Sequence, residues 1–259
     1  MMKSFPTWFL MSVACMGSSS VWAEAATSVA LSSDQFELQA HPVTLQYPHA
    51  VRLEQVLLDV QQQDSQSQGL YTYTEGFRLF SADKQGQVDA LYKTVKTQLQ
   101  ALLQEGDSIR RTAQQMLTQL DHYQYGYREA VNLDVDAVRL KAELNPLLQG
   151  GYTLQLVQRP SAVALFGLAQ KQMKFHADYT VADYIQRTRL SHQHHQSYAW
   201  VIEPNGHIER VGYAYWNDEE THLSPGSAIF IGFGSSDNEM IQLEKNIATL
   251  ISMIKGSLL

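Results

Sequence analysis

One block, from Tyr198 to Phe233, restricts the possible folds more than any other. Tyr198-Ala-Trp-Val-Ile-Glu203 and Ile208-Glu-Arg-Val-Gly-Tyr-Ala-Tyr-Trp216 are rich in aromatic and β-branched side chains. Such residues suit a pleated, half-buried surface. Between them Pro204 presets the first corner of a turn, Asn205 tolerates the second, and Gly206 accepts the left-handed conformation that closes a bulged hairpin. Ser224-Pro225-Gly226 is a second turn signal and leads into Ser227-Ala-Ile-Phe-Ile-Gly-Phe233. With a helix expected over 181–189, this half of the chain reads as a small α+β unit.

The first half has the same order of elements. Residues 24–40 carry small and polar side chains with little pattern and are expected to form a mobile lead-in. A short alternating strand over 43–47 ends at Pro48, and Val51, Leu53, Val56, Leu57 and Val60 recur at helical spacing. Residues 61–69 read as a loop, and 70–80 as an aromatic strand broken by Gly76. Val88, Leu91, Tyr92, Val95, Leu99 and Leu102 then form an amphipathic stripe, and Ile109, Ala113, Met116, Leu117 and Leu120 form another. Glu105-Gly106-Asp107 separates them, with Gly106 ending one helix and Asp107 capping the next. Strands are expected over 128–133, 137–141 and 152–157, and Pro160 marks a boundary. The expected fold is therefore α+β, with two β-grasp-like modules over 41–160 and 161–235 and a helical hairpin at about 84–123 inserted in the first.

A third section closes the chain, an amphipathic helix over 236–259. Ser236-Asp-Asn-Glu239 has the spacing of a capping box. Met240, Leu243, Ile247, Leu250 and Ile254 form one stripe, ended by Gly256, while Glu239, Gln242, Glu244, Lys245, Asn246 and Ser252 fall on the other side. A helix polar on one side cannot span lipid alone. It packs on its own protein, lies on a surface, or forms one stave of a ring.

Composition excludes several functions. The net charge of −7 comes without a basic run, so nucleic acid is not an expected partner. Lys3, the apolar run from Phe5 to Met16 and Val21-Trp22-Ala23 read as an export signal cleaved after Ala23, which implies a periplasmic protein. A lipidation site at Cys15 is the competing reading, with Ser12 where such sites usually carry Leu. Cys15 is the only cysteine and lies in that signal, so neither a disulfide framework nor a thiol nucleophile is expected.

Few residues invite a chemical role. His192, His194 and His195 offer three imidazoles, but no acidic partner accompanies them and a surface loop is the preferred reading over zinc. Ser81-Ala-Asp-Lys84 and Ser236-Asp-Asn238 match short motifs of penicillin-recognising enzymes, yet no Lys-Thr-Gly follows. Asp134 and Asp136, with Asp178 and Asp183, offer carboxylates for glycoside hydrolysis, although such residues more often form turns. Arg128, Arg139 and Arg159 sit in or beside expected strands. There a guanidinium either grips an acidic group or ties down a loop through carbonyls, and tying is preferred. Among the aromatics, Trp216 and the adjacent Asn217 are the pair expected at the surface. Candidate roles thus reduce to ligand or partner contact by Arg128, Arg159, Trp216 and Asn217, with no catalytic residue, cofactor or metal expected.

The motifs Pro-Asn-Gly-x-Ile-x-x-Val-Gly-x-Ala-Tyr-Trp-Asn (204–217) and Pro-Gly-x-x-Ile-Phe-Ile-x-Phe (225–233) resemble the GfcC/YjbG family of capsule and exopolysaccharide biosynthesis proteins. Asn145-Pro-Leu-Leu-Gln-Gly-Gly-Tyr-Thr-Leu154, Arg159-Pro160 and Ser161-Ala-Val-Ala-Leu-Phe-Gly167 fit the same pattern. The resemblance implies a periplasmic accessory protein for assembly or export of a polysaccharide. Its partners would be the polymer or the capsule export machinery, with association to the outer membrane. It carries no catalytic signature. A polysaccharide-modifying enzyme and an oligomeric export component using the terminal helix remain as alternatives.

Overall fold

A computed structural model describes residues 27–33, 43–66, 73–168, 172–188 and 196–258. The first half is built on a five-stranded sheet whose strands are β1 (Thr27–Ser33), β2 (Thr44–Tyr47), β4 (Arg78–Ser81), β6 (Tyr127–Arg128) and β8 (Gly150–Leu156), in the spatial order β2-β1-β8-β4-β6. A short β3 (Val51–Arg52) pairs with β7 (Leu147–Leu148) outside this sheet. β1 lies parallel to β8, from Thr27 opposite Gly150 to Ser33 opposite Leu156. This corrects the expected lead-in. Thr27, Val29, Leu31 and Ser33 are buried in strict alternation with half-buried neighbours, the signature of a strand with one face in the core. The helix α1 (Leu53–Gln66) supplies Leu53, Val56, Leu57 and Val60 to that core, against Val29, Leu31, Leu79 and Leu154.

Two other expectations in this half are corrected. The strand at 137–141 is a helix, α4 (Val135–Leu140). Asp134 starts it by accepting from the Asp136 and Ala137 amides, and Val135 and Val138 share its buried side. The strand at 128–133 stops at Arg128, and among the described residues of the 70–80 run only those from Arg78 onward are extended.

The second half repeats the arrangement. Its strands are β9 (Ala162–Phe166), β10 (Gln172–Lys174), β11 (Tyr198–Ile202), β12 (Ile208–Gly212) and β13 (Ala228–Phe230), in the order β10-β9-β13-β11-β12. In both sheets the first and last strands in the chain run parallel at the centre, and the second and fourth form the edges. One face of the second sheet is covered by α5 (Val181–Arg187), where Val181, Tyr184 and Ile185 meet Val163, Leu165, Val201 and Ile229.

The opposite face carries Ala164, Phe166, Trp200, Ile202, Ala228 and Phe230. It is covered by helices from elsewhere in the chain. The expected hairpin, α2 (Gln85–Ala101) and α3 (Asp107–Leu120), leaves the first sheet after β4 and sends Val88, Val95, Leu99, Ala113, Met116 and Leu120 into this core. The terminal helix α6 (Asn238–Ser252) adds Leu243, Ile247, Leu250 and Ile251. Each such side chain contributes about 1.5–3 kcal/mol by burial. The two halves are thus interlocked through one shared core.

Three helix ends differ from expectation. Gly106, not Asp107, is the N-cap of α3, and Asp107 opens the helix with its carboxylate bonded to Arg110. Asp237, not Ser236, occupies the N-cap of α6, where no side chain closes a capping box. The helix stops at Ser252, and β14 (Ile254–Lys255) pairs with β5 (Gln124–Tyr125), clamping the chain end to the base of the hairpin. Glu244 and Ser252, assigned to the polar side, are 4% and 8% exposed. The helix is enclosed over more than its apolar stripe.

Candidate functional site

Arg128 lies at the edge of the first sheet, opposite Phe80. Its Nη2 donates to the Pro204 carbonyl at 2.6 Å and to the Phe77 carbonyl at 3.3 Å, while Nη1 points at the Ser252 carbonyl, 3.5 Å away. One side chain therefore joins the first sheet, the β11–β12 turn and the end of α6. Arg78 is also buried and donates from Nη1 to the carbonyls of Ile254 and Gly256. Burial, reinforced by the Arg78 charge, pushes Arg128 down to about 9, so it remains a cation at neutral pH. Gly206 has φ +93°, and a Cβ there would stand 3.0 Å from the Arg128 Cζ. The guanidinium and the turn fit each other closely.

A cleft of about 260 Å³ lies nearby, lined by Thr74, Glu75, Phe77, Asn132, Asp134 and Asn205 among others. Its Asp134 side chain already holds the start of α4. Asp183 forms a capping box with Thr180 and also pairs with Arg187. Arg139 is on α4 rather than on a strand, 3.6 Å from Glu54. Lys84 of the Ser-x-x-Lys match forms an ion pair with Glu129 at 2.7 Å, and that bond raises its pKa. A lysine so held is a poor proton acceptor.

Arg159 is exposed between β8 and β9, and among the described residues its side chain forms no hydrogen bond or ion pair. It lies close enough to Tyr73 to oppose the upward push of burial and Glu75 on that phenol, which rises to about 12. Tyr73 itself donates to the Pro225 carbonyl at 2.8 Å.

Beyond Gly212 the chain leaves the sheet, four residues earlier than the run to Trp216 suggests. Asn217 holds the resulting turn: Oδ1 accepts from the Ala214 amide at 3.0 Å and Nδ2 donates to the Ser197 carbonyl at 3.0 Å. Trp216 is 76% exposed and its neighbour Tyr215 is fully exposed. Of the adjacent pair, then, Trp216 is presented outward and Asn217 positions it.

One residue does not stand out in the sequence. Arg210 lies on β12 directly opposite Trp200 and diagonal to Tyr198, whose partner is Gly212. Its guanidinium stacks on the Tyr198 ring, 4.2 Å from the centroid. These two residues help to line an open pocket of about 340 Å³, with Ser197, Ser235, Ser236 and Glu244 on other walls. A usable signal was present. Once the turn at 203–207 fixes the hairpin, the register places Arg210 among the large aromatics.

His192, His194 and His195 lie outside the described residues. Among the described residues, no group of three or more His, Cys, Asp or Glu is placed to hold a metal ion, and no helix is long and apolar enough to cross a membrane.

An α+β chain with an inserted helical hairpin and charged residues tied into its framework defines a class, and comparison supplies the family. Residues 33–159 match the family described as capsule biosynthesis GfcC, N-terminal, and residues 169–253 match capsule biosynthesis GfcC, C-terminal. The chain belongs to this capsule-biosynthesis family. A relative named uncharacterized protein YjbG, from Escherichia coli (strain K12), is 40% identical over 111 residues. That alignment covers 42% of this chain and 45% of the relative, less than half of its length.

Proposed function

We propose that the protein is a non-catalytic accessory factor, exported to the periplasm, that contacts polymer or export machinery during assembly or export of a capsule or exopolysaccharide. The observation that carries this reading is the Tyr215–Trp216 turn, two exposed aromatic side chains held outward by Asn217 in a member of a capsule-biosynthesis family. Aromatic faces left in water favour contact with sugar rings or with a protein partner. The other polar candidates favour a framework role, since Arg128 joins three segments and Asp134 and Asp183 start helices. We read each sheet with its helix as a β-grasp module. The shared strand order, with parallel central strands, supports that assignment.

The alternative of a terminal helix acting as a pore stave requires an apolar stripe open to lipid. Of the stripe, Leu243, Ile247, Leu250 and Ile254 are 0–4% exposed and Met240 is half-buried, which favours the packed role. The test is polymer output from a strain lacking the gene, complemented with variants. Wild type and the double variant Asp134→Asn/Asp136→Asn are expected to restore surface polymer, whereas Tyr215→Ala/Trp216→Ala is expected to reduce it. Loss of polymer with a folded Asp134→Asn/Asp136→Asn protein would instead support a polysaccharide-modifying enzyme.

A further inference from the structure

We propose that the pocket walled by Tyr198 and Arg210 binds a carboxylated sugar unit of an acidic polysaccharide. The inference rests on the accessory reading above for the source of the ligand and on the pocket itself for its chemistry. Arg210 is partly buried, and its Nε is fully enclosed without a hydrogen-bond partner. Among the described residues its side chain has no ion pair either; its one partner is the Tyr198 ring. Stacking on a ring face fixes the guanidinium plane, and with Nε enclosed it is the Nη1–Nη2 edge that is left to an outside acceptor. A carboxylate matches that planar fork with two parallel bonds.

The nearest acid in the pocket does not take that part. Glu244 accepts from the Trp200 indole N–H at 3.0 Å and from the Phe233 amide at 2.6 Å, one bond on each oxygen. Its charge is directed into the framework, and it disfavours a dianion beside it. One arginine and one buried carboxylate lining the same pocket favour a monoanion such as a hexuronate over a phosphate, which is doubly charged near neutral pH.

The remaining walls suit sugar hydroxyls. Ser235 Oγ accepts from the Asp237 amide, so its own proton is available to donate, and Ser197 and Ser236 add hydroxyls. A volume of about 340 Å³ falls within the range of small-ligand sites and accommodates a sugar unit. The turn bearing the exposed aromatics is tied to one wall of the pocket. Asn217 of that turn bonds the carbonyl of Ser197, a lining residue, so a chain seated at Arg210 has Trp216 at the same end of the hairpin.

The test is an NMR titration of the protein without its first 23 residues, following the Arg210 Nε–Hε signal, assigned by its loss in Arg210→Lys. The probes are an α-1,4-linked galacturonate tetramer and, as a neutral counterpart, maltotetraose. Galacturonate is expected to shift the signal at millimolar concentration, maltotetraose to leave it in place, and Arg210→Gln to weaken binding about tenfold or more. Tyr198→Leu, which removes the stacking face but not the charge, is expected to weaken it less. An unmoved signal, equal response to the neutral sugar or to sodium phosphate, or full affinity in a folded Arg210→Gln variant would overturn the assignment. These results leave the accessory role standing. Unchanged polymer in the gene-deletion strain removes that role and leaves the titration result intact.

Discussion

The buried contact between α6 and β11 gives a prediction that can be worked through. Glu244 is 4% exposed and Trp200 is 6% exposed, so both ends of their hydrogen bond are removed from water. Glu244 also accepts from the Phe233 amide, and Gly232 leaves the room it needs: a Cβ at 232 would stand 2.2 Å from Oε1. Glu244→Gln keeps the shape but has one acceptor oxygen in place of two. It turns an N–H toward either the indole or the amide, leaving one donor without an acceptor. Hydrogen bonds to charged groups are worth roughly 1.5–3 kcal/mol, so the variant is expected to lose about 2–3 kcal/mol. Trp200→Phe removes the indole donor and some buried area, at about 1–3 kcal/mol. In the double variant the single oxygen of the introduced glutamine is free to face the Phe233 amide, and the cost is less than the sum. Urea unfolding of the four proteins measures this coupling, expected at about 1–2 kcal/mol. Strict additivity would refute the reasoning, because it would mean that the indole and the carboxylate do not share one buried network.

The remaining predictions concern the Arg128 junction and alkaline pH. Gly206→Ala places a side chain at φ +93° and against the Arg128 guanidinium, so a loss of about 1–3 kcal/mol is expected by urea unfolding; a neutral result would show that the turn and Arg128 move independently. Burial raises Tyr73 and Tyr213 to about 12 and also raises Tyr47, Tyr92, Tyr123, Tyr125 and Tyr184. A phenol raised in the folded state holds its proton longer than in the unfolded chain. Its contribution is full below about pH 10 and is lost as pH rises through about 12. Arg128, lowered to about 9, acts in the opposite sense, adding stability between its folded value and the ordinary arginine range. Seven raised phenols against one lowered guanidinium give a net decline above pH 10. Phenolate absorbance rising together with unfolding checks this, and ordinary titration of all tyrosines in the folded protein would contradict it.

The elements that could be read from sequence are those governed by local rules. The turn at Pro204-Asn205-Gly206 forms as its residues require, with the Gly206 amide bonded to the Glu203 carbonyl at 2.9 Å. The stripes of α2 and α3 predict helices because their apolar spacing has one solution. Short elements elsewhere follow rules that are not local. In α4, Val135 and Val138 give β-branched texture to a six-residue helix whose start depends on Asp134. In β1, Ser and Thr conceal a central strand, because its backbone is stabilised by β8, more than a hundred residues away in the chain. The start of α6 differs by one residue, since a capping-box spacing does not fix which residue becomes the cap. Of the candidate site, Trp216 was visible as an aromatic at a strand end. Arg210 was not, because its significance depends on cross-strand register rather than on neighbours in sequence.

The central structural claim is that the terminal helix is a packed lid on the second sheet, shared with the hairpin inserted in the first. The direct measurement is sizing and thermal unfolding of the protein with and without residues 236–259. Removing them exposes the face bearing Phe166, Trp200 and Phe230. A monomeric full-length protein is expected, with a truncated one that aggregates or melts at lower temperature. A ring-sized or membrane-bound full-length protein, with a truncated form that is a stable monomer, would contradict the claim and assign α6 to assembly.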